Sequence, residues 1–324
     1  MEYEFYILSR YLFLKIERTY SAVVEKAGVT LPQLRVLWIL NSFEGANSSM
    51  ISKAGCWTRP TVSNMIKILV EKDFVEIDTI SDKKSKSIHL TDKGFNIINI
   101  NKQTNKSSFL LLKLLQIIEI EDIDNLIEIY RYTAEKSGNS FIMEYVERIN
   151  SLSLKIEYST FPMEDREKLK SLVMLYNLLR VFVLSVESEH SLLLKKFDLT
   201  YPQMRALKII NAFKGLTSLQ LSEIALWSPS SANLVVRNLF KKGLIYKDKG
   251  SVKNSLHIYV NEKSKKLIQK DINENINKLN TLHYLDNLSE IKLAKLNKLL
   301  HHLNEEVNNH MVVEFIDKCL YPVK

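Results

Sequence analysis

One stretch of the chain is written twice. Thr30-Leu31-Pro32-Gln33-Leu34-Arg35 returns as Thr200-Tyr201-Pro202-Gln203-Met204-Arg205. Asn41, Phe43, Gly45 and Trp57 return as Asn211, Phe213, Gly215 and Trp227, and Ile88 and Lys93 as Ile258 and Lys263. The offset is about 170 residues, needs no gap, and gives roughly 20 identities over the 65 positions from 30 to 94, well beyond chance for so long a period. The register extends outward: Arg10 pairs with Arg180, and Glu144-Tyr145-Val146 with Glu314-Phe315-Ile316. The chain therefore reads as an internal duplication, with 1–150 as one copy, 166–324 as the second, and 151–165 as the linker. Whatever one copy does, the other is built to do in a two-fold or pseudo-two-fold arrangement.

Composition limits what each copy can be. The 324 residues are 46% hydrophobic, enough for two cores of ordinary size. Only 8 Gly and 6 Pro are present, too few for the turns of sandwiches or barrels. A mainly α fold is expected. The 2 cysteines, Cys56 and Cys319, make no disulfide framework and suggest a reducing compartment. The apolar N-terminus is broken by Glu2, Glu4, Arg10 and Lys15, so neither a signal peptide nor a spanning helix is expected and the location predicted is cytoplasmic.

Helical periodicity predicts a helix over 2–27, a second over 31–43 capped by Thr30, and a short third through Ala54 capped by Asn47 or Ser48. Thr58, with Arg59 and Pro60 in the first turn, starts a fourth that runs to about Lys72. Its apolar stripe Val62, Ile66 and Leu69 turns inward and leaves Thr61, Ser63, Asn64 and Lys67 toward solvent. The period then changes: Phe74–Ile77 and Ser87–Leu90 alternate around a basic turn at 81–86, a hairpin with a charged tip. A long Leu-rich helix from Thr91 and a last helix over about 122–150 are too apolar to lie alone in water. The second copy repeats this order: helices over about 165–196, from Tyr201, from Ser218 and over 229–242, a hairpin of 244–248 and 256–260, and two terminal helices, the last opened by Ser289.

Two short helices joined by a tight turn, then a basic-tipped hairpin, describe a winged helix-turn-helix. The second of those helices presents exposed first turns that fit a DNA major groove. In the first copy the reading set is Thr58, Arg59, Thr61, Ser63, Asn64 and Lys67; in the second it is Ser228, Ser230, Ser231, Asn233 and Arg237. Arg59 is the candidate for a bidentate base contact, because a guanidinium matches the two acceptors of guanine. The hydroxyls and amides set register through phosphates. From the wings, Lys83, Lys84 and Lys86, and Lys249 and Lys253, reach the backbone or minor groove. Charge agrees: residues 1–150 are balanced at 19 basic and 19 acidic, so the whole net excess of +8 lies in the second half.

These motifs resemble the multiple-antibiotic-resistance-regulator (MarR) family, in which terminal helices that dimerise flank a winged helix. The family's wing pattern is Asp-x-Arg followed by Leu-Thr-x-x-Gly; here it is Asp82-Lys83-Lys84 and Leu90-Thr91-Asp92-Lys93-Gly94, with lysine in the arginine's place. Leu37-Trp38-Ile39, Gly45-Ala46 and Ile51-Ser52-Lys53 are similar to Hpr/ScoC-type regulators, and the fusion of two units resembles the two-domain staphylococcal Sar proteins. The second copy departs: Val252 and Asn254 stand for Asp82 and Lys84, Val260-Asn261 for Leu90-Thr91, and Ser264 for Gly94.

The resemblance implies two winged helix-turn-helix domains in one chain, forming an intramolecular pseudodimer that acts as a monomer on double-stranded DNA. It also implies a transcriptional regulator, a repressor by occlusion rather than an activator, that reads an imperfect palindrome. A pocket for a small effector is a further implication; no residue identifies its ligand. Two other readings fit the motifs: a replication initiator built of tandem winged helices, and an interaction module that antagonises another regulator. No phosphate loop, catalytic triad or metal-protease signature is present, so no enzyme activity, cofactor or metal is expected. Trp57 and Trp227 are expected to pack in the turn before each reading helix, Cys56 to be an inert core thiol, and the dispersed His301, His302, His310 and Cys319 to hold no metal.

Overall fold

The computed structural model describes residues 1–78, 86–103, 110–138, 140–153, 163–213, 215–249 and 256–320. Mostly helical, with two small antiparallel hairpins, these residues gather into two compact units. The first unit is Ile16–Leu184; the second joins Met1–Lys15 to the chain from Ser185 onward. The units cut across the repeats. The start of the first helix belongs with the second repeat's helices, and the start of the helix at 163 belongs with the first repeat's.

Helix α1 (Glu2–Val24) closes in a 3-10 turn whose cap, Gly28, takes φ 77°. Thr30 begins α2 (Leu31–Ser42) with a full capping box: its side chain accepts from the Gln33 N–H, and the Gln33 side chain accepts from the Thr30 N–H at 2.9 Å. Asn47 caps α3 (Ser48–Gly55) and Thr58 caps α4 (Arg59–Glu71). Strands β1 (Val75–Asp78) and β2 (Ser87–Leu90) pair in the register Val75↔Leu90 to Asp78↔Ser87. Then come α5 (Asp92–Gln103), α6 (Leu110–Ile117), α7 (Ile120–Lys136), α8 (Ser140–Ser153) and α9 (Met163–Leu194).

The second repeat reproduces the order at the same spacing: α10 (Tyr201–Ala212), α11 (Ser218–Ile224), α12 (Pro229–Lys241), β3 (Ile245–Lys249), β4 (Leu256–Val260) and α13 (Glu262–Glu274). A short α14 (Asn280–His283) follows, then α15 (Glu290–Val307) and α16 (His310–Leu320). Both copies use the same special backbone positions: Cys56 and Leu226 end α3 and the α11 segment at φ 53° and 54°.

Several boundaries differ from the sequence expectation. The last helix of the first copy, expected over 122–150, is two helices, because Gly138 turns the chain with φ 72° between α7 and α8. The Leu-rich segment from Thr91 is described as α5 and α6, with 104–109 outside the described residues. Of the linker expected at 151–165, α8 includes residues up to Ser153 and α9 begins at Met163, while 154–162 lie outside the described residues. Ser289 does cap α15, but α16 follows it, begun by Asn309, whose side chain accepts from the Val312 N–H at 3.0 Å. The region expected to hold two terminal helices thus holds α13 to α16 with intervening 3-10 turns.

In the first unit α2, α3, α4, the hairpin and α8 enclose one core that includes Leu34, Leu37, Ile51, Val62, Leu69 and Ile88. The aromatic ring of Phe43 stacks on Phe141 at 4.8 Å and lies beneath the guanidinium of Arg148. The second unit repeats that pair with Lys318 over Phe213 at 4.2 Å. The segment Asp165–Phe197 is long and apolar enough by composition to cross a membrane, yet its Leu172, Leu178, Phe182 and Val186 are fully buried. Its hydrophobicity is that of a core helix.

Candidate nucleic-acid interface

Helix α4 buries Val62, Met65, Ile66 and Leu69 and leaves Arg59, Thr61, Ser63, Asn64 and Lys67 exposed. Its cap sets the first turn: Thr58 accepts from the Thr61 N–H, and their hydroxyls meet at 2.8 Å. Pro60 costs nothing there, since first-turn amides have no intrahelical acceptor. Every reading residue expected in the first copy thus lies on one solvent face. Lys67 approaches Glu71 only at 4.0 Å, a surface pair too weak to hold it.

Helix α12 has the same construction. Ser228 accepts from the Ser231 N–H at 3.2 Å, Pro229 takes the first helical position, and Ala232, Val236 and Leu239 turn inward. Ser230, Ser231, Asn233 and Arg237 are exposed as expected. Leu234 is exposed with them, a residue absent from the expected reading set. It occupies the position of Asn64 in the first copy.

Each hairpin is tied to the loop that precedes α3 or α11. The Ile88 N–H donates to the Ala46 carbonyl at 3.1 Å, and Leu216 and Ile258 exchange two backbone bonds of 3.2 and 2.8 Å. Gly215 at φ 109° allows this approach; a Cβ there would lie 2.2 Å from the Tyr259 ring. Lys86 is exposed at the root of the first wing, and Lys249 ends β3. Asp82, Lys83, Lys84 and Lys253 lie outside the described residues.

Gly94, the last position of the wing motif, has a steric cause. A Cβ on it would sit 2.0 Å from the Phe74 carbonyl oxygen. Ser264, its counterpart, sits against the corresponding carbonyl, its hydroxyl donating to Leu244 at 2.5 Å. The departure from the motif replaces a close approach by a hydrogen bond.

The basic residues of 237–247 and 263–270 fall into two groups. Lys242 pairs with Asp198, Lys265 with Glu262 at 2.6 Å and, more loosely, Lys270 with Glu274 at 3.8 Å. Arg237, Lys241, Lys247, Lys263 and Lys266 are exposed and carry no ion pair among the described residues. Those five are available to phosphates.

Behind each reading helix lies an arginine that sequence reading gave no role. In the first unit Arg180 of α9, 3% exposed, donates to the Gly55 carbonyl at 2.5 Å and lies 5.7 Å over the Trp57 ring. Arg35 of α2 turns away to Glu17, which also accepts from Tyr176. In the second unit the equivalent carbonyl, Ala225, and the equivalent ring, Trp227, are taken by Arg205 of α10, at 2.7 and 5.1 Å. Arg10 of α1 pairs instead with Glu187 at 2.7 Å. The only signal for this in the sequence was that Arg10/Arg180 and Arg35/Arg205 are among the identities of the repeat.

Both tryptophans are half-buried in the turn, as expected. Burial pushes the Cys56 thiol up, away from the reactive thiolate. Glu17 outweighs burial and holds Arg35 charged, whereas burial and the nearby Arg10 charge push Arg205 down. The second unit also encloses a polar cluster: Asp271 meets His190 and Lys208 at 2.8 Å each and accepts from Asn275 at 2.7 Å. His301 bonds Asp317 at 2.8 Å, and no three His, Cys, Asp or Glu among the described residues are grouped to hold a metal.

Residues 29–85, spanning α2 to the first wing, match the MarR family model. The HTH-type transcriptional regulator Hpr of Geobacillus thermodenitrificans is 30% identical over 92 residues, 28% of this chain and 46% of the relative. Hpr of Bacillus licheniformis is 31% identical over 88 residues, 27% of this chain and 43% of the relative. The chain thus spans less than half the length of these relatives. Among solved structures, Streptococcus pneumoniae FabT in complex with DNA aligns at 18% identity and TM-score 0.32, covering 37% of this chain and 86% of that one.

Proposed function

We propose that the MarR-family domain at 29–85 and the second repeat together make this chain a sequence-specific regulator of transcription that binds double-stranded DNA. The observation that carries the reading is the solvent face of α4. A capped first turn presents Arg59, Thr61, Ser63, Asn64 and Lys67 together, within the segment that matches the family. A helix so presented fits the major groove, with Arg59 on guanine and the hydroxyls on phosphate. The wing lysines, Lys83, Lys84 and Lys86 and then Lys249 and Lys253, extend the contact to the backbone.

The repeat supports a tandem duplication that works as a one-chain pseudodimer in the cytoplasm, with 1–150 and 166–324 as its two sequence copies. Because the two reading helices differ in sequence, the operator is an imperfect palindrome. The half-sites stand roughly 34 Å apart, one helical turn. Occlusion of a promoter needs no chemistry and makes the chain a repressor. Within this scheme the first repeat, through Arg59, supplies most of the base specificity, and the basic second repeat supplies much of the affinity.

The test is selection from a random duplex library at moderate salt, followed by sequencing. An enriched, imperfectly symmetric motif with half-sites one turn apart supports the reading. Absence of binding even at low salt, where phosphate attraction is strongest, overturns it.

A further inference from the structure

We infer that Leu234 is a specificity residue that reads the C5-methyl group of a thymine, so that the two reading helices recognise chemically different half-sites. This rests on the DNA-binding reading proposed above. Exposed leucines are common and mean little singly; the place of this one is what matters. Along α12 the inward positions are Ala232, Val236 and Leu239, and the outward stripe runs Ser230, Asn233, Leu234, Arg237. Leu234 is 55% exposed in the middle of that stripe. A hydroxyl lies one turn before it and a guanidinium one turn after it.

That setting favours nucleic acid over a protein groove. Its nearest neighbours on the stripe, Ser230, Asn233 and Arg237, are polar or cationic; Phe240 farther along is also exposed, but Lys241 at the helix end and Lys247 beyond it add positive charge. Any surface that accepts this stripe must offer acceptors and negative charge on both sides of one small apolar spot. The major groove does so: phosphates line it, and the thymine methyl is the apolar group on its floor. Leucine can neither donate nor accept. A cytosine amino group or the guanine acceptors pressed against it would lose water and gain no partner. A thymine methyl loses nothing and gains burial. In the first repeat the same position holds Asn64, whose amide matches adenine N6 and N7. The duplication therefore placed an amide in one reader and an aliphatic group in the other.

The experiment uses the full chain and the duplex it selects from the random library. Each thymine is replaced in turn by uracil, which removes only the methyl group. For the wild type, uracil at one or two positions of one half-site lowers affinity about fourfold, the worth of one buried methyl. For Leu234→Ala the same replacement has no effect. Leu234→Asn moves the preference at that position from thymine to adenine. Selective binding that ignores uracil everywhere overturns the inference and leaves the DNA reading intact, giving Leu234 to a protein partner. A loss with uracil that persists in Leu234→Ala also overturns it, because another residue then holds the methyl. Failure to bind any duplex at low salt removes the DNA reading and this inference together.

Discussion

The guanidinium of Arg180 donates to the carbonyl oxygen of Gly55 at 2.5 Å, in the turn that leads into α4. That carbonyl closes a helix whose next residue, Cys56, is in the left-handed region, so it has no helical donor of its own. The donor is carried by α9, whose residues up to Leu184 belong to the first unit although most of the helix lies in the second repeat. In the second unit the matching carbonyl of Ala225 is satisfied by Arg205, which belongs to the helix-turn-helix itself. Helices α4 and α12 are thus held in place by different helices, although all four arginines, Arg10, Arg35, Arg180 and Arg205, are identical in the repeat.

Arg180→Ala leaves a buried carbonyl unpaired and uncovers one side of Trp57. We expect a loss of about 1.5–3 kcal/mol, the range for hydrogen bonds to a charged group. Arg205→Ala costs less, because burial and Arg10 already disfavour that cation. Denaturant midpoints of the two variants measure the difference; equal losses would show that the two seats are equivalent.

On the reading face, Arg59→Ala is expected to relax preference at one guanine, with about 1–3 kcal/mol of discrimination lost there and stability unchanged. Replacing Lys249 and Lys253 together should instead weaken binding on every sequence and flatten its salt dependence. Binding isotherms on the selected and on a scrambled duplex at two salt concentrations separate the cases. Identical behaviour of both variants on both duplexes would end the proposed division of labour.

Gly94→Ala places a Cβ against the Phe74 carbonyl, backbone that cannot step aside. About 1–3 kcal/mol of destabilisation is expected, as for other overpacked sites. Gly94→Ser tests whether the second repeat's solution transfers. If the new hydroxyl reaches Phe74 as Ser264 reaches Leu244, the serine variant is the more stable of the two in thermal melts.

Burial alone would push the Asp271 carboxyl up, but the His190 hydrogen bond and the Lys208 charge hold it well below the usual carboxylate range. A depressed pKa stabilises the folded state above the unfolded value of about 4, and that contribution is lost as pH falls below it. The second unit should therefore lose stability between about pH 4 and pH 2, and Asp271→Asn should remove most of that dependence. At neutral pH the same change strands Lys208 in the interior and costs about 3–5 kcal/mol. Urea titrations at pH 7 and pH 3 measure both effects.

Local chemistry was legible along the chain. Thr30 and Thr58 cap the helices they were expected to cap, and of Asn47 and Ser48 it is Asn47 that caps α3, because a side-chain oxygen beside a free first-turn amide is a contact made within a few residues. The outward face of α4 followed from its apolar period, and the hairpins from a change of period from helical to alternating. Gly138 is the local exception: a glycine inside a helical pattern, it takes the left-handed conformation and splits α7 from α8.

The repeat, the caps and the reading faces were determined by the sequence itself, since each depends on neighbours in the chain or on an offset visible in it. The tertiary structure decided which helix completes which unit, and with it which arginine reaches the carbonyl before each reading helix. Arg180 and Arg10 are interchangeable as letters. They differ because a buried guanidinium must find an acceptor, and the acceptor nearest each is set by the packing of helices distant in sequence: Gly55 for Arg180 and Glu187 for Arg10.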